Sequence, residues 1–146
     1  MKITTRPILV LLLFFATSLM SAQSVFGKWK TVDDRTGNPK GIIEIYEKDG
    51  MMFGKVIAIV EAGKEDALCI KCDGELKDQP VKGMTIIKGG KKNEDNEWKG
   101  KYLFDPEQAM TFRFKIWLNP KNSNELKVRG YLAFLYRTQT WIRYEG

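Results

Sequence analysis

Cys69 and Cys72 stand two residues apart as Cys69-Ile70-Lys71-Cys72, and they are the only cysteines in a chain of 146 residues. That spacing suits three chemistries. The first is a small disulfide ring, the usual fate of paired cysteines in an exported chain. The second is thiol–disulfide exchange, which needs a thiolate stabilised by a helix N-terminus or a close cation. Lys71 supplies a cation, but no strand–helix–strand pattern surrounds the motif. The third is zinc, which wants about four ligands, usually cysteine or histidine. The chain has no histidine, so further ligands would be unusual ones. Covalent haem attachment is ruled out, because Asp73 follows Cys72. We expect a structural disulfide between Cys69 and Cys72, no metal and no cofactor. The missing histidine also removes Ser-His and Cys-His nucleophiles and the commonest general base. Asp105, Glu107 and the other carboxylates form no evident acid/base pair across a cleft. No catalytic residues are expected, and the chain does not read as an enzyme.

A second constellation joins the two ends of the chain. Gly27-Lys28-Trp29 lies near the start, and Thr138-Gln139-Thr140-Trp141-Ile142-Arg143-Tyr144 near the finish. Gly27, Trp29 and Arg143 can close one end of a small antiparallel barrel. The indole plugs the end and the guanidinium lies across its face, a contact that contributes on the order of 0.5–2 kcal/mol. The glycine lets the backbone bend where the plug sits.

Strands must position these groups, because no long stretch shows helical period. Short apolar or alternating runs are broken by Gly, Asn, Asp and Pro clusters, the pattern of an all-β sandwich or barrel. The expected strands are 25–32, 41–47, 51–60, 83–88, 97–104, 110–118, 125–132 and 138–144. Lys48-Asp49-Gly50 is a hairpin signal. Residues 61–82 are polar, carry both cysteines and lack a clean period; we read a long excursion with at most a helical turn. Phe112, Phe114, Ile116 and Leu118 alternate with Thr111, Arg113, Lys115 and Trp117, so that strand is half-buried. The fold class is all-β: a single antiparallel up-and-down barrel of about eight strands. At that size the interior is just filled, or holds one small ligand.

The candidate ligand-binding residues are Tyr46, Phe53, Ile57, Phe112, Phe114, Ile116 and Tyr131, with Gln139 as a further polar group. Pockets for small molecules are mostly apolar with a few placed polar groups. A filled interior is the competing arrangement, with Trp98 and Trp117 exposed as a patch for a protein partner.

Residues 1–22 read as a secretory signal peptide. Lys2 and Arg6 precede an apolar run from Ile8 to Ala16, and Ser21-Ala22 offers small residues for cleavage. The run is short for a bilayer span, which takes about 20 residues, so no stable membrane span is expected after cleavage. No cysteine follows it to carry a lipid anchor. Residues 23–146 form the single domain. Losing Lys2 and Arg6 takes the basic count from 24 to 22 against 18 acidic residues, a net +4. Basic and acidic residues are interspersed, without the clustered basic stripe of a nucleic-acid binder. Location is expected to be periplasmic or secreted.

The chain resembles the exported bacterial proteins grouped as domain-of-unknown-function family 2147, over nearly all of Ser24 to Arg143. The marks are Gly27-Lys28-Trp29, Gly54-Lys55-Val56, Cys69-Ile70-Lys71-Cys72-Asp73-Gly74, Trp98-Lys99-Gly100, Asp105-Pro106, Lys115-Ile116-Trp117-Leu118, Val128-Arg129-Gly130-Tyr131 and Arg137 through Arg143. The resemblance implies a lipocalin-like (calycin-like) barrel and an export route, and no established activity. Two departures fall at barrel rims: Glu107-Gln108-Ala109-Met110 replaces an Asn-Gly type turn, predicting a looser one, and Tyr136 stands where relatives favour glycine. The expected function is that of an exported protein binding or carrying a small apolar or amphipathic, lipid-like molecule. The alternative is a non-catalytic interaction module of the cell envelope with a filled core. Nothing in the sequence sets the oligomeric state.

Overall fold

The computed structural model describes residues 23–146. The expected signal peptide lies outside the described residues. Eight strands follow in order: β1 Gly27–Val32, β2 Pro39–Lys48, β3 Met51–Ile59, β4 Thr85–Lys92, β5 Trp98–Asp105, β6 Met110–Asn119, β7 Asn122–Leu132 and β8 Leu135–Arg143. Each pairs antiparallel with the next, and β1 pairs with β8 through Trp29↔Arg143, so the sheet closes into a barrel. Closure leaves no long sheet edge for another chain to extend. Among the described residues no helix is long and apolar enough to cross a membrane.

The Lys48-Asp49-Gly50 hairpin signal sits where a link is needed. Asp49 and Gly50 take positive φ of 52° and 75° between β2 and β3, the backbone that Asp-Gly adopts readily. Asp105 ends β5, and its carboxylate accepts hydrogen bonds from the Glu107 and Gln108 amides at 2.9 and 3.4 Å. This carboxylate, with Ala109 at φ 53°, makes a tight turn of the segment for which the sequence suggested a looser one.

The larger deviation is β4, which runs on through Gly89 and Gly90 to Lys92 rather than ending at Lys88. The cause is packing. A Cβ on Gly90 would lie 3.0 Å from Phe114, and one on Gly100 would lie 2.5 Å from it. The two glycines, on β4 and β5, leave a slot that the Phe114 ring fills. Residues that look like turn formers are therefore interior strand positions.

The barrel has two ends. The short turns after β2, β4 and β6 lie at one end, with the start of β1 and the end of β8. The β1–β2 turn, the 60–84 excursion, the β5–β6 turn and the β7–β8 hairpin lie at the other. The first end is solid: Trp29, Ile45, Met52, Ile87, Ile116 and Leu126 are fully buried there or just above it. Trp98 is also inside, with its ring against Phe26 at 5.2 Å. The competing filled-core arrangement had it exposed on a partner patch, but strand alternation turns it inward opposite Ile116.

Candidate ligand-binding cavity

The closed end is built as the residue types require. Trp29 has no exposed surface, and its indole Nε1 donates to the Val25 carbonyl at 2.8 Å. The Arg143 guanidinium lies 4.2 Å from the indole centroid. Its Nη2 donates to the Ser24 and Ser123 carbonyls at 2.8 and 3.1 Å, tying three chain segments together. Burial pushes its pKa below the ordinary guanidinium value, yet arginine remains charged at any working pH. Gly27 holds φ 126°, and a Cβ there would point at the guanidinium, 3.5 Å from Nη1. Gly27, Trp29 and Arg143 thus meet as one plug.

Above the packed half the barrel is hollow. A cavity of about 580 Å³ opens at the other end. Its walls are Ile43, Val56, Ile86, Leu103, Phe112, Val128 and Trp141, with Gly41 and Gly130 widening it. Its polar lining residues are Thr31, Lys40, Glu61, Lys64, Lys71, Asp105, Glu107, Gln108, Arg137 and Gln139, most of them on the loops and strand ends at the mouth. Gln139 Oε1 accepts from the Trp141 indole at 3.1 Å, which fixes both side chains on the β8 wall. At the rim Arg137 pairs with Asp34 of the β1–β2 turn, and Lys40 pairs with Glu107 at 2.7 Å. Glu107 is thus held by an ion pair, and Asp105 caps its own turn.

The excursion packs against this mouth. Cys69 and Cys72 form a disulfide, as expected, and both are buried. Cys69 Sγ lies 3.4 Å from the Pro106 carbonyl oxygen, seating the ring on the β5–β6 turn. The segment is internally bonded: Cys69 N donates to Gln79 O at 2.8 Å, and Val81 N to Ala67 O at 2.9 Å. One 3-10 turn, Gly74–Leu76, is its sole helical element. Leu68 and Ile70 stay exposed and line the cavity's lip.

Of the candidate ligand residues, Phe112 lines the cavity, while Phe114 and Ile116 belong to the packed half beneath it. Tyr46, Phe53, Ile57 and Tyr131 are not among its lining residues. Tyr46 stacks on Phe53 across β2 and β3 at 5.9 Å. Tyr131 faces outward beside Arg113 and Tyr136. The reason is strand parity. Met52, Gly54 and Val56 are the inward residues of β3, and Ile57 is the extra residue of a bulge, after which Ile59 lines the cavity. Gly54 is tolerated inside because Ile87 fills its place, 2.8 Å from where a Cβ would sit. The wall residues missed in the sequence are Ile43 on β2, Val56 on β3, Ile86 on β4, Leu103 on β5, Val128 on β7 and Trp141 on β8; on β2, β3 and β7 they have the opposite parity to the candidates Tyr46, Phe53 and Tyr131.

The model of the bacterial family described as "uncharacterized protein conserved in bacteria (DUF2147)" matches residues 27–143. The chain belongs to that family. The match covers the barrel from the first residue of β1 to the last of β8. Among solved structures, the chain is similar to protein HP1028 from the human pathogen Helicobacter pylori, described as belonging to the lipocalin family. The two share 17% identity, 84% of each chain is covered, and the TM-score is 0.69. At that identity the likeness is one of fold. No curated protein matches the chain.

Proposed function

We propose that this chain is an exported, non-catalytic protein that binds or carries one small apolar or amphipathic molecule. The carrying observation is the half-filled barrel: an apolar cavity of about 580 Å³ above a solid floor. That volume falls within the roughly 300–1,000 Å³ of small-molecule sites. The polarity gradient supports an amphipathic guest. Aliphatic and aromatic walls would take its apolar body, and the groups near Gln139, Lys40 and Arg137 would meet a polar or anionic head. Export is supported by the leader-like residues 1–22 and by the Cys69–Cys72 bond, since disulfides persist in oxidising compartments.

The test is native mass spectrometry of protein purified from its own host's envelope, followed by titration with a fluorescent fatty-acid panel. A co-purifying molecule, or saturable probe binding lost in Val128→Trp, is the expected result. Val128 is buried in the cavity wall, so an indole there would occupy the space the guest needs. A clean apo mass with no probe binding would overturn the reading in favour of an envelope interaction module.

A further inference from the structure

The β7–β8 hairpin at the cavity mouth has an unusual tip. Its two loop residues are Ala133 and Phe134, flanked by Leu132 and Leu135. Phe134 is 89% exposed, Leu135 62% and Leu132 48%. Ala133 holds φ 53°, a backbone that glycine or asparagine adopts most readily. A tip that only faced water would be better served by a glycine-containing polar turn. Four apolar residues stand here instead.

Behind the tip the outer barrel face is cationic and aromatic. Residues 110–143 carry seven basic side chains and one acid, Glu125, whereas the rest of 23–146 carries 15 basic and 17 acidic. The positive excess is therefore concentrated on β6, β7 and β8. Arg113 Nη2 donates to the Ala133 carbonyl at 2.9 Å, which places a guanidinium at the root of the tip. Arg129 lies 4.4 Å over the Tyr136 ring. It also donates from Nε to Thr138 Oγ1 at 2.7 Å, and Lys127 donates to Thr140 Oγ1 at 2.7 Å. Arg113, Lys127 and Arg129 make no ion pair among the described residues.

From this we infer that the β7–β8 hairpin docks the protein on an anionic lipid bilayer. Phe134 and Leu135 enter the headgroup–acyl boundary, Tyr131 and Tyr136 sit at headgroup level, and Arg113 and Arg129 meet lipid phosphates. An apolar edge backed by cations is how a peripheral protein holds an anionic interface. A polynucleotide duplex would use the basic face but gives Leu132, Phe134 and Leu135 no apolar surface to bury in, and a single strand could stack a base on Phe134 alone. Docking in this pose brings the cavity mouth to the lipid surface. It does not depend on what the cavity holds, so failure of one reading leaves the other standing.

The experiment is flotation of the full mature chain with vesicles of phosphatidylcholine alone and of phosphatidylcholine mixed with phosphatidylglycerol. Binding to the anionic vesicles is expected, weakening as salt rises. Ala133→Gly combined with Phe134→Ser gives the hairpin a favoured polar turn, so the fold is kept while the most exposed apolar side chain of the tip, Phe134, is removed. It should weaken binding about tenfold or more with the thermal midpoint and fatty-acid probe binding unchanged. Arg129→Ala should cost roughly fivefold on anionic vesicles only. No flotation with either lipid at low salt would overturn the inference. So would anionic-vesicle binding unchanged in the tip variant. Equally tight capture of a polynucleotide, insensitive to the tip variant, would assign the basic face to nucleic acid instead.

Discussion

Trp29→Ala is the sharpest test of how this barrel is closed. The indole is fully buried, and a buried aromatic of this size removes about 150–250 Å² from water. At about 25 cal/mol per Å² this gives about 4–6 kcal/mol. The compactness of real unfolded chains trims such a figure by roughly 10–40%. The hydrogen bond to Val25 and the Arg143 contact add to the loss, while the exposed carbonyl and guanidinium regain water. The expected destabilisation is about 3–5 kcal/mol, within the usual range for truncating a buried Trp. For a domain of this size that is a fall in Tm of about 12–20 °C. Urea unfolding followed by circular dichroism reads it, with the m-value unchanged if the variant stays two-state. A double-mutant cycle with Arg143→Ala isolates the guanidinium–indole coupling, expected at about 0.5–2 kcal/mol. A Trp29→Ala loss below about 1 kcal/mol would refute the plug. A null coupling beside a large single loss would retain the plug and remove the cation–π contact from it.

Three further outcomes follow from the same geometry. Gly100→Ala places a Cβ 2.5 Å from the Phe114 ring and should cost about 1–3 kcal/mol, with part of the loss recovered in a Phe114→Leu background; an additive double mutant would show that the ring is not the obstacle. Replacing Cys69 and Cys72 by serine opens a four-residue ring, worth roughly 2 kcal/mol by the loop-entropy relation. Hydrogen exchange should then speed up within residues 67–81 while the strand amides stay protected, and equal loss of protection throughout the barrel would count against a local role. Glu97 is held below the ordinary carboxylate range, first by the Lys115 ammonium at 3.0 Å and then by the Asn93 amide. Its contribution is complete above the unfolded value of about 4.3 and is lost as pH falls through the lower folded value. Stability against pH should therefore show a smaller acid-limb decline in Glu97→Gln, and superimposable profiles would sink the assignment.

The candidate site shows where sequence reasoning stops. Strand existence was legible because alternation is local: Phe112, Phe114 and Ile116 announce a half-buried strand whatever surrounds them. The face that looks inward was less so on β2 and β3. There Ile42, Ile43, Tyr46, Phe53 and Ile57 put apolar residues on both faces, so hydropathy could not choose between parities. The choice was made by cross-strand neighbours, with Gly54 turned inward against Ile87 and a bulge at Ile57 shifting the register. Trp98, exposed only in the competing arrangement, is buried, and its charged neighbours Glu97 and Lys99 lie on the opposite face.

In the sequence, an all-β chain of about eight strands follows from short-range pattern. Closure by Gly27, Trp29 and Arg143 and a disulfide between Cys69 and Cys72 were the favoured among several arrangements these residues allow, and the contacts themselves decided them. Only the tertiary structure decided that the barrel is solid in one half and hollow in the other. Volume depends on how rings such as Phe114 fit against glycines on two other strands. It also decided that basic side chains of residues 110–143 share the outer barrel face behind an apolar hairpin. Which residues share a surface is set by register between strands, and register is not a property of any one segment.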